Sequence, residues 1–227
     1  MADASSLSCP TCHAPLSRTP RARSKCGACS NWIYPSFKSV FPSTLLTDTQ
    51  HTVTKALDSL QEISPANARV VSQSLPQLRA AQGDKDGMAL VTRDLFIALE
   101  PRNDLAAAEI HWHQCAWFMA RLGQDFEWAL RRSAEALLDR RMLEAIHLRS
   151  PAGGTATEED VVLTVCYRRE ACGACRSTGG YESGSPGWGT LRFTIAEARE
   201  RSILPHSGCR SMVNGVPGFC RCRYKAV

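Results

Sequence analysis

Apolar residues recur at helical spacing through the middle of the chain and at strand-like spacing toward its ends. Val53, Leu57 and Leu60 share one stripe behind Thr47-Asp48-Thr49, whose side chains can cap, so a helix is expected there until Pro65 stops it or forces a turn. A weaker helical stretch spans Ala66 to Leu75. Residues 80–87, AAQGDKDG, read as an exposed linker with Gly83 and Gly87 as breakers, and a helix then starts near residue 93 and ends before Pro101. The strongest pattern covers residues 103–122, where Leu105, Ala108, Trp112, Cys115, Met119 and Leu122 define one buried stripe. Gly123 allows a bend, and Phe126, Leu130, Ala134, Leu137, Met142 and Ile146 keep roughly the same period through to His147. Antiparallel packing of these two helices, with the 50–63 segment as a third member, is the simplest way to cover their apolar faces.

The ends read differently. Asn31 to Lys38 contains a short strand ending at Pro35, with Trp32 and Tyr34 on one face. VVLTVCY at 161–167 reads as a buried strand, and TLRFTI at 190–195 as a second one, followed by a short helix over 196–202. SPAGGTATEED at 150–160 is the clearest boundary. These elements give an α+β chain with segments 1–43, 44–149 (a helical bundle), a linker at 150–160, and a small α+β module over 161–227.

Composition narrows the class. An apolar share of 44% suits a folded protein, and no apolar run approaches the length of a spanning helix, so no membrane partner is expected. MADASSLSCP has neither a basic start nor an apolar core, which makes a cytoplasmic, reducing setting the expectation. The net charge of +5 is uneven. Residues 1–44 carry five basic side chains against one acidic, residues 166–227 carry ten against four, and the middle is net negative. Basic ends on an acidic body point to an anionic partner, with nucleic acid the usual one.

In a reducing setting, paired cysteines read first as metal ligands. Cys9, Cys12, Cys26 and Cys29 form two CxxC knuckles separated by thirteen residues, the spacing of a closed four-thiolate zinc ribbon. His13 adjoins a filled ligand set and is expected at the surface, while Gly27 suits a positive φ in the second knuckle. A second zinc site is expected from Cys172 and Cys175 with Cys209 and either Cys220 or Cys222, His206 being the substitute; Cys166 fits a buried strand position. Two structural Zn2+ ions are therefore expected. Glu109, His111, His113 and Cys115 would share a face on a strand. On a helix they split into two pairs pointing nearly oppositely, so no local metal site is expected there.

Arg18, Arg21, Arg23 and Lys25 lie between the two knuckles, and Arg221, Arg223 and Lys225 flank the last cysteines. Such side chains can meet phosphates while Trp32 stacks on bases, although Trp32 is also suited to covering the knuckles.

The run from Arg169 to Gly180, REACGACRSTGG with Cys172 and Cys175, resembles the tail of phage head-morphogenesis proteins, minor capsid proteins found near the portal. The later run LPHSGCR, with His206 and Cys209, and the closing Cys220-Arg221-Cys222 belong to the same likeness. The resemblance matches Cys172, Cys175, His206 and Cys209 to that tail and implies capsid or portal partners and a virion-associated location. Ser207 and Ser211 depart from the pattern, and the Cys-Arg-Cys is displaced to 220–222. The amino-terminal run is similar to the zinc ribbons of transcription and ribosome-associated proteins. The function expected is a non-enzymatic zinc-binding protein that holds nucleic acid by its backbone. The alternative is head assembly through protein contacts. A metal-dependent hydrolase is disfavoured, because thiolates are in surplus and an open position with a nearby base is wanting.

Overall fold

The computed structural model of the chain describes residues 7–36, 40–149, 161–166, 187–206, 208–209, 212–213, 216–220 and 222–226. The chain divides into two units at Leu99/Glu100, inside the 44–149 segment that the helical pattern groups together.

The first unit joins a small sheet to three helices. Strands β1 (Ser24–Lys25), β2 (Trp32–Pro35) and β3 (Leu45–Leu46) pair antiparallel in that order. Helix α1 (Asp48–Gln61) follows at once. Thr47 accepts from the Gln50 amide and the Gln50 side chain returns the bond to the Thr47 N–H, a reciprocal cap that closes two end donors. Val53, Leu57 and Leu60 are fully buried, as their spacing predicts. Pro65 does both things open to it: α1 ends before it and α2 (Pro65–Ala80) begins on it, behind the Ser64 cap. Tyr34 ties the sheet to α1, stacking on His51 at 4.2 Å and donating to Asp48 at 2.7 Å.

Residues 81–84 form a short, largely exposed connection with Gly83 at φ 98°, but it ends before residue 85, sooner than expected. Asp84 caps α3 (Lys85–Ala98) by accepting from the Asp86 amide, so the helix starts eight residues earlier than the 93 expected from its pattern. Gly87 lies inside this helix, with the Asp84 carboxylate oxygen 2.5 Å from where a Cβ would stand. The second half of the polar, glycine-bearing stretch is thus a cap and a first turn.

The second unit opens with α4 (Leu105–Leu122), capped by Asp104 and closed by Gly123 in the left-handed region at φ 71°. Ala108, Trp112, Cys115, Met119 and Leu122 are buried along it. Helix α5 (Glu127–Arg149) runs back against α4, with Ser133 Oγ donating to the Glu109 carbonyl at 2.9 Å. Strands β4 (Val161–Cys166), β5 (Gly187–Thr194) and β8 (Cys222–Ala226) form an antiparallel sheet in the order β5-β4-β8. Helix α6 (Ile195–Glu200) leaves β5 through a Thr194/Glu197 capping box, and β6 (Met212–Val213) pairs with β7 (Val216–Pro217). Helix α5 packs on β8: Arg141 Nε donates to the Tyr224 carbonyl at 3.1 Å, and the Tyr224 hydroxyl accepts from the Leu204 amide at 2.9 Å. The helices and small antiparallel sheets are those of an α+β chain, and no helix among the described residues is long and apolar enough to cross a membrane.

Candidate metal centre and basic surface

The two knuckles of the first unit are built alike. In each, the residue after the second cysteine closes a turn onto the first: His13 N–H donates to the Cys9 carbonyl and Ser30 N–H to the Cys26 carbonyl, both at 2.9 Å. Both closing residues, His13 and Ser30, sit at φ 59°. Positive φ therefore falls after the knuckle, and Gly27, the residue expected to need it, is not among the positive-φ positions.

These turns bring together the four sulfurs of Cys9, Cys12, Cys26 and Cys29, whose ligand atoms all lie within 4.8 Å of one another. Cys9 and Cys29 are 3.9 Å apart at sulfur, and Cys12 and Cys26 are 3.7 Å apart. An ion ~2.3 Å from each sulfur of a regular tetrahedron sets edges of ~3.8 Å, so the cluster already has the size of a four-thiolate metal site.

Backbone N–H groups are aimed at the sulfurs, as with Thr11 on Cys9 at 3.4 Å. At Cys26 the amides of Cys29 and Ala28 hydrogen-bond the thiolate and lower its pKa from 9.0 to about 6. Cys12 goes the other way. The Ala14 amide pulls it down, but bonding to Cys29, desolvation and the remaining two sulfurs outweigh that and push it up to about 12. A crowd of four thiols cannot ionise together without a cation, and a divalent ion supplies that charge.

Ile33, 1% exposed, packs with Cys9, Cys26 and Leu45. The lid over the cysteines is therefore Ile33, and Trp32, its neighbour on β2, stays 37% exposed. Lys25 pairs directly across from Trp32 in the β1–β2 register, with its ammonium 5.2 Å from the indole centre. Arg23 lies over the same ring at 3.7 Å. Arg18 and Arg21 are exposed, and with Arg23 and Lys25 they line a groove of about 950 Å³. All four basic residues between the knuckles thus line one groove, and two of them, Arg23 and Lys25, also stand over the Trp32 ring.

The carboxy-terminal basic residues are arranged otherwise. Arg223 does not reach outward: it donates to His113 Nδ1 at 3.0 Å and stands 3.6 Å from the Glu109 carboxylate. Glu109, 8% exposed, also takes Arg140 at 2.9 Å, and His113 meets Phe219 edge-on. The role of Glu109 as a buried anchor escapes the sequence: an acid four residues before a histidine on a mostly apolar helix names no partner. Lys225 occupies β8 opposite Leu163. Arg221, Cys172 and Cys175 lie outside the described residues. Cys209, Cys220 and Cys222 are buried together in the core of the second unit, with His206 buried at 3% exposure. The Glu109, His111, His113 and Cys115 run is helical, as expected.

The chain matches no protein-family model, no curated protein and no solved structure.

Proposed function

We propose that the chain is a non-enzymatic zinc protein whose amino-terminal surface holds nucleic acid by its backbone. Zinc is the ion that four thiolates at tetrahedral spacing favour. The reading includes a second zinc in the carboxy-terminal region, a zinc-ribbon assignment for the two knuckles, and a cytoplasmic setting. It assigns no catalysis, because four thiolates leave no open position on the ion.

The observation that carries it is the grouping of Arg18, Arg21, Arg23 and Lys25 around one groove, two of them in contact with a partly exposed indole. Cations on a metal-held loop meet phosphates without reading sequence, and the partly exposed Trp32 indole is available to stack on a base. With Arg223 engaged by Glu109 and His113, the amino-terminal set carries the interaction.

Fluorescence anisotropy with labelled single- and double-stranded oligonucleotides across a salt series tests this. Four neutralised phosphates give a log–log slope of about −3 to −4 on duplex DNA. Replacing Arg18, Arg21 and Arg23 together with Ala should flatten that slope without loss of metal. No binding at low salt by metal-loaded protein defeats the reading. Protein contacts in phage head assembly, which the carboxy-terminal resemblance supports, would then take its place.

A further inference from the structure

The knuckles help to build a second hollow in the first unit, apart from the basic groove. A cleft of about 650 Å³ is lined by the two knuckles with Trp32, by the first turn of α1, and by the connection that leads from α2 into α3. Its volume falls in the range of about 300–1,000 Å³ usual for small-ligand sites. The cleft shares no lining residue with the groove. One ring links them. Trp32 lines the cleft, while Arg23 and Lys25 line the groove and stand 3.7 and 5.2 Å from the indole centre.

The two hollows differ in charge. The groove has Arg18, Arg21, Arg23 and Lys25 in its lining and no acid. The cleft has one lysine, Lys85, and one acid, Asp48. Asp48 stands in the first turn of α1, where it takes the Tyr34 hydroxyl at 2.7 Å, and the Gln50 amide of that turn is already held by Thr47. A carboxylate at a helix start repels the phosphate that bare amides would attract, so the cleft is poorly suited to the anion that the groove suits. What it offers instead is the indole, the exposed carboxamides of Asn31 and Gln82, and Met88, which is 2% exposed. An aromatic ring meets an uncharged heterocycle by its face, and carboxamides, which both donate and accept, meet its edges.

We propose that this cleft takes one unpaired base of a strand whose phosphates lie in the basic groove, which makes single-stranded nucleic acid the partner of the amino-terminal surface. The proposal rests on the nucleic-acid reading above and on nothing in its second ion. A base inside a duplex is stacked and paired, and bringing it into a cleft costs a few kcal/mol that an unpaired base does not incur. Phosphate contacts then supply affinity and its salt dependence, while the cleft supplies the choice of strand type. Because Asn31 and Gln82 can each turn a donor or an acceptor to a base edge, the cleft accepts more than one base.

Anisotropy on metal-loaded, full-length protein with three labelled probes of equal length tests this: an oligothymidylate, the same strand built on stable abasic sugars, and a blunt duplex. The oligothymidylate should bind roughly 5- to 150-fold more tightly than the abasic strand at one salt concentration, the stacking contribution of one base. Their salt slopes should agree, since both present the same phosphates. Asn31→Ala and Gln82→Ala, at exposed positions, should narrow that ratio and leave abasic affinity unchanged. A strand carrying 5-iodouracil should, on irradiation, crosslink to cleft residues, Trp32 foremost, as mapped by mass spectrometry. Equal affinity for the base-bearing and abasic strands overturns the proposal and leaves backbone binding in place. Tighter binding of the duplex than of the oligothymidylate does the same, as do crosslinks confined to residues 16–25 or to the second unit. Failure of all three probes to bind at low salt overturns both this proposal and the nucleic-acid reading beneath it.

Discussion

Around Cys9, Cys12, Cys26 and Cys29 the protein is thin, whereas Cys209, Cys220 and Cys222 sit inside a well-filled core. In the first region the buried cluster has four members, two of which are themselves the cysteines Cys9 and Cys26, and Cys12 is exposed. In the second, three cysteines share a cluster with nine other buried residues drawn from α5, β5, α6, the turn after it and β8. The first region has almost no apolar area to offset the entropy of ordering its loops. A metal ion bound there would serve as the core. The second region already has a core of its own.

The largest effect expected follows from that contrast. Apparent zinc-binding energies in small metal-held modules run to ~10–16 kcal/mol, far above what Ile33 and Leu45 can supply by burial. Chelation, or Cys26→Ser, should therefore abolish the order of residues 7–35, seen as collapse of amide dispersion, while helical circular dichroism persists. Cys220→Ser should lower the melting point of the second unit yet leave a cooperative transition. The contrast fails if the two variants unfold to the same extent.

Trp112 gives the next effect. It is 1% exposed, donates to Glu100 at 2.8 Å and has Arg132 over its ring at 4.6 Å. Trp112→Ala should cost about 3–5 kcal/mol in urea unfolding. Glu109→Ala comes after it. Removing the carboxylate leaves Arg140 and Arg223 facing a buried site, but both guanidinium groups still see solvent, with side chains 33% and 24% exposed. The loss should be about 1–3 kcal/mol, less than for a fully buried pair. Glu109→Gln should recover part of it through hydrogen bonding. A loss as large as that of Trp112→Ala would mean the second unit depends on its polar network more than on its apolar core.

What the sequence shows and hides follows from distance along the chain. Caps at Thr47 and Asp104 and the left-handed Gly123 lie within one turn of what they close, so residue type and order suffice to read them. The four-cysteine cluster is legible for the same reason, since CxxC turns are local and only the loop between them spans a gap. Asp84 escapes such a reading because a cap and a linker share one composition, and only the close seat of its carboxylate over Gly87 tells them apart. Glu109 and His113 share a helix face by simple periodicity, but Arg223 lies 110 residues beyond His113 and nothing local announces it.

The smallest effect separates two neighbours on β2, Trp32 and Ile33, that the sequence cannot rank. Trp32 is held by Arg23 at 3.7 Å and Lys25 at 5.2 Å, and it remains 37% exposed. An exposed cation–π contact contributes about 0.5–1 kcal/mol, so Trp32→Ala should cost under about 1 kcal/mol of stability. The Arg23→Ala/Trp32→Ala double-mutant cycle should return a coupling of that size. Ile33, which covers the cysteines, should by contrast be costly to truncate, about 2–5 kcal/mol for Ile33→Ala. If the indole stacks a base, Trp32→Ala should lose about 1–3 kcal/mol of single-strand affinity. Affinity would then fall by more than stability, a pattern opposite to that of Ile33→Ala in folded, metal-loaded protein. A stability loss near the ~3 kcal/mol of a core truncation, with unchanged affinity, would make Trp32 a second lid over the metal centre. The basic groove would then keep its phosphates without an aromatic partner.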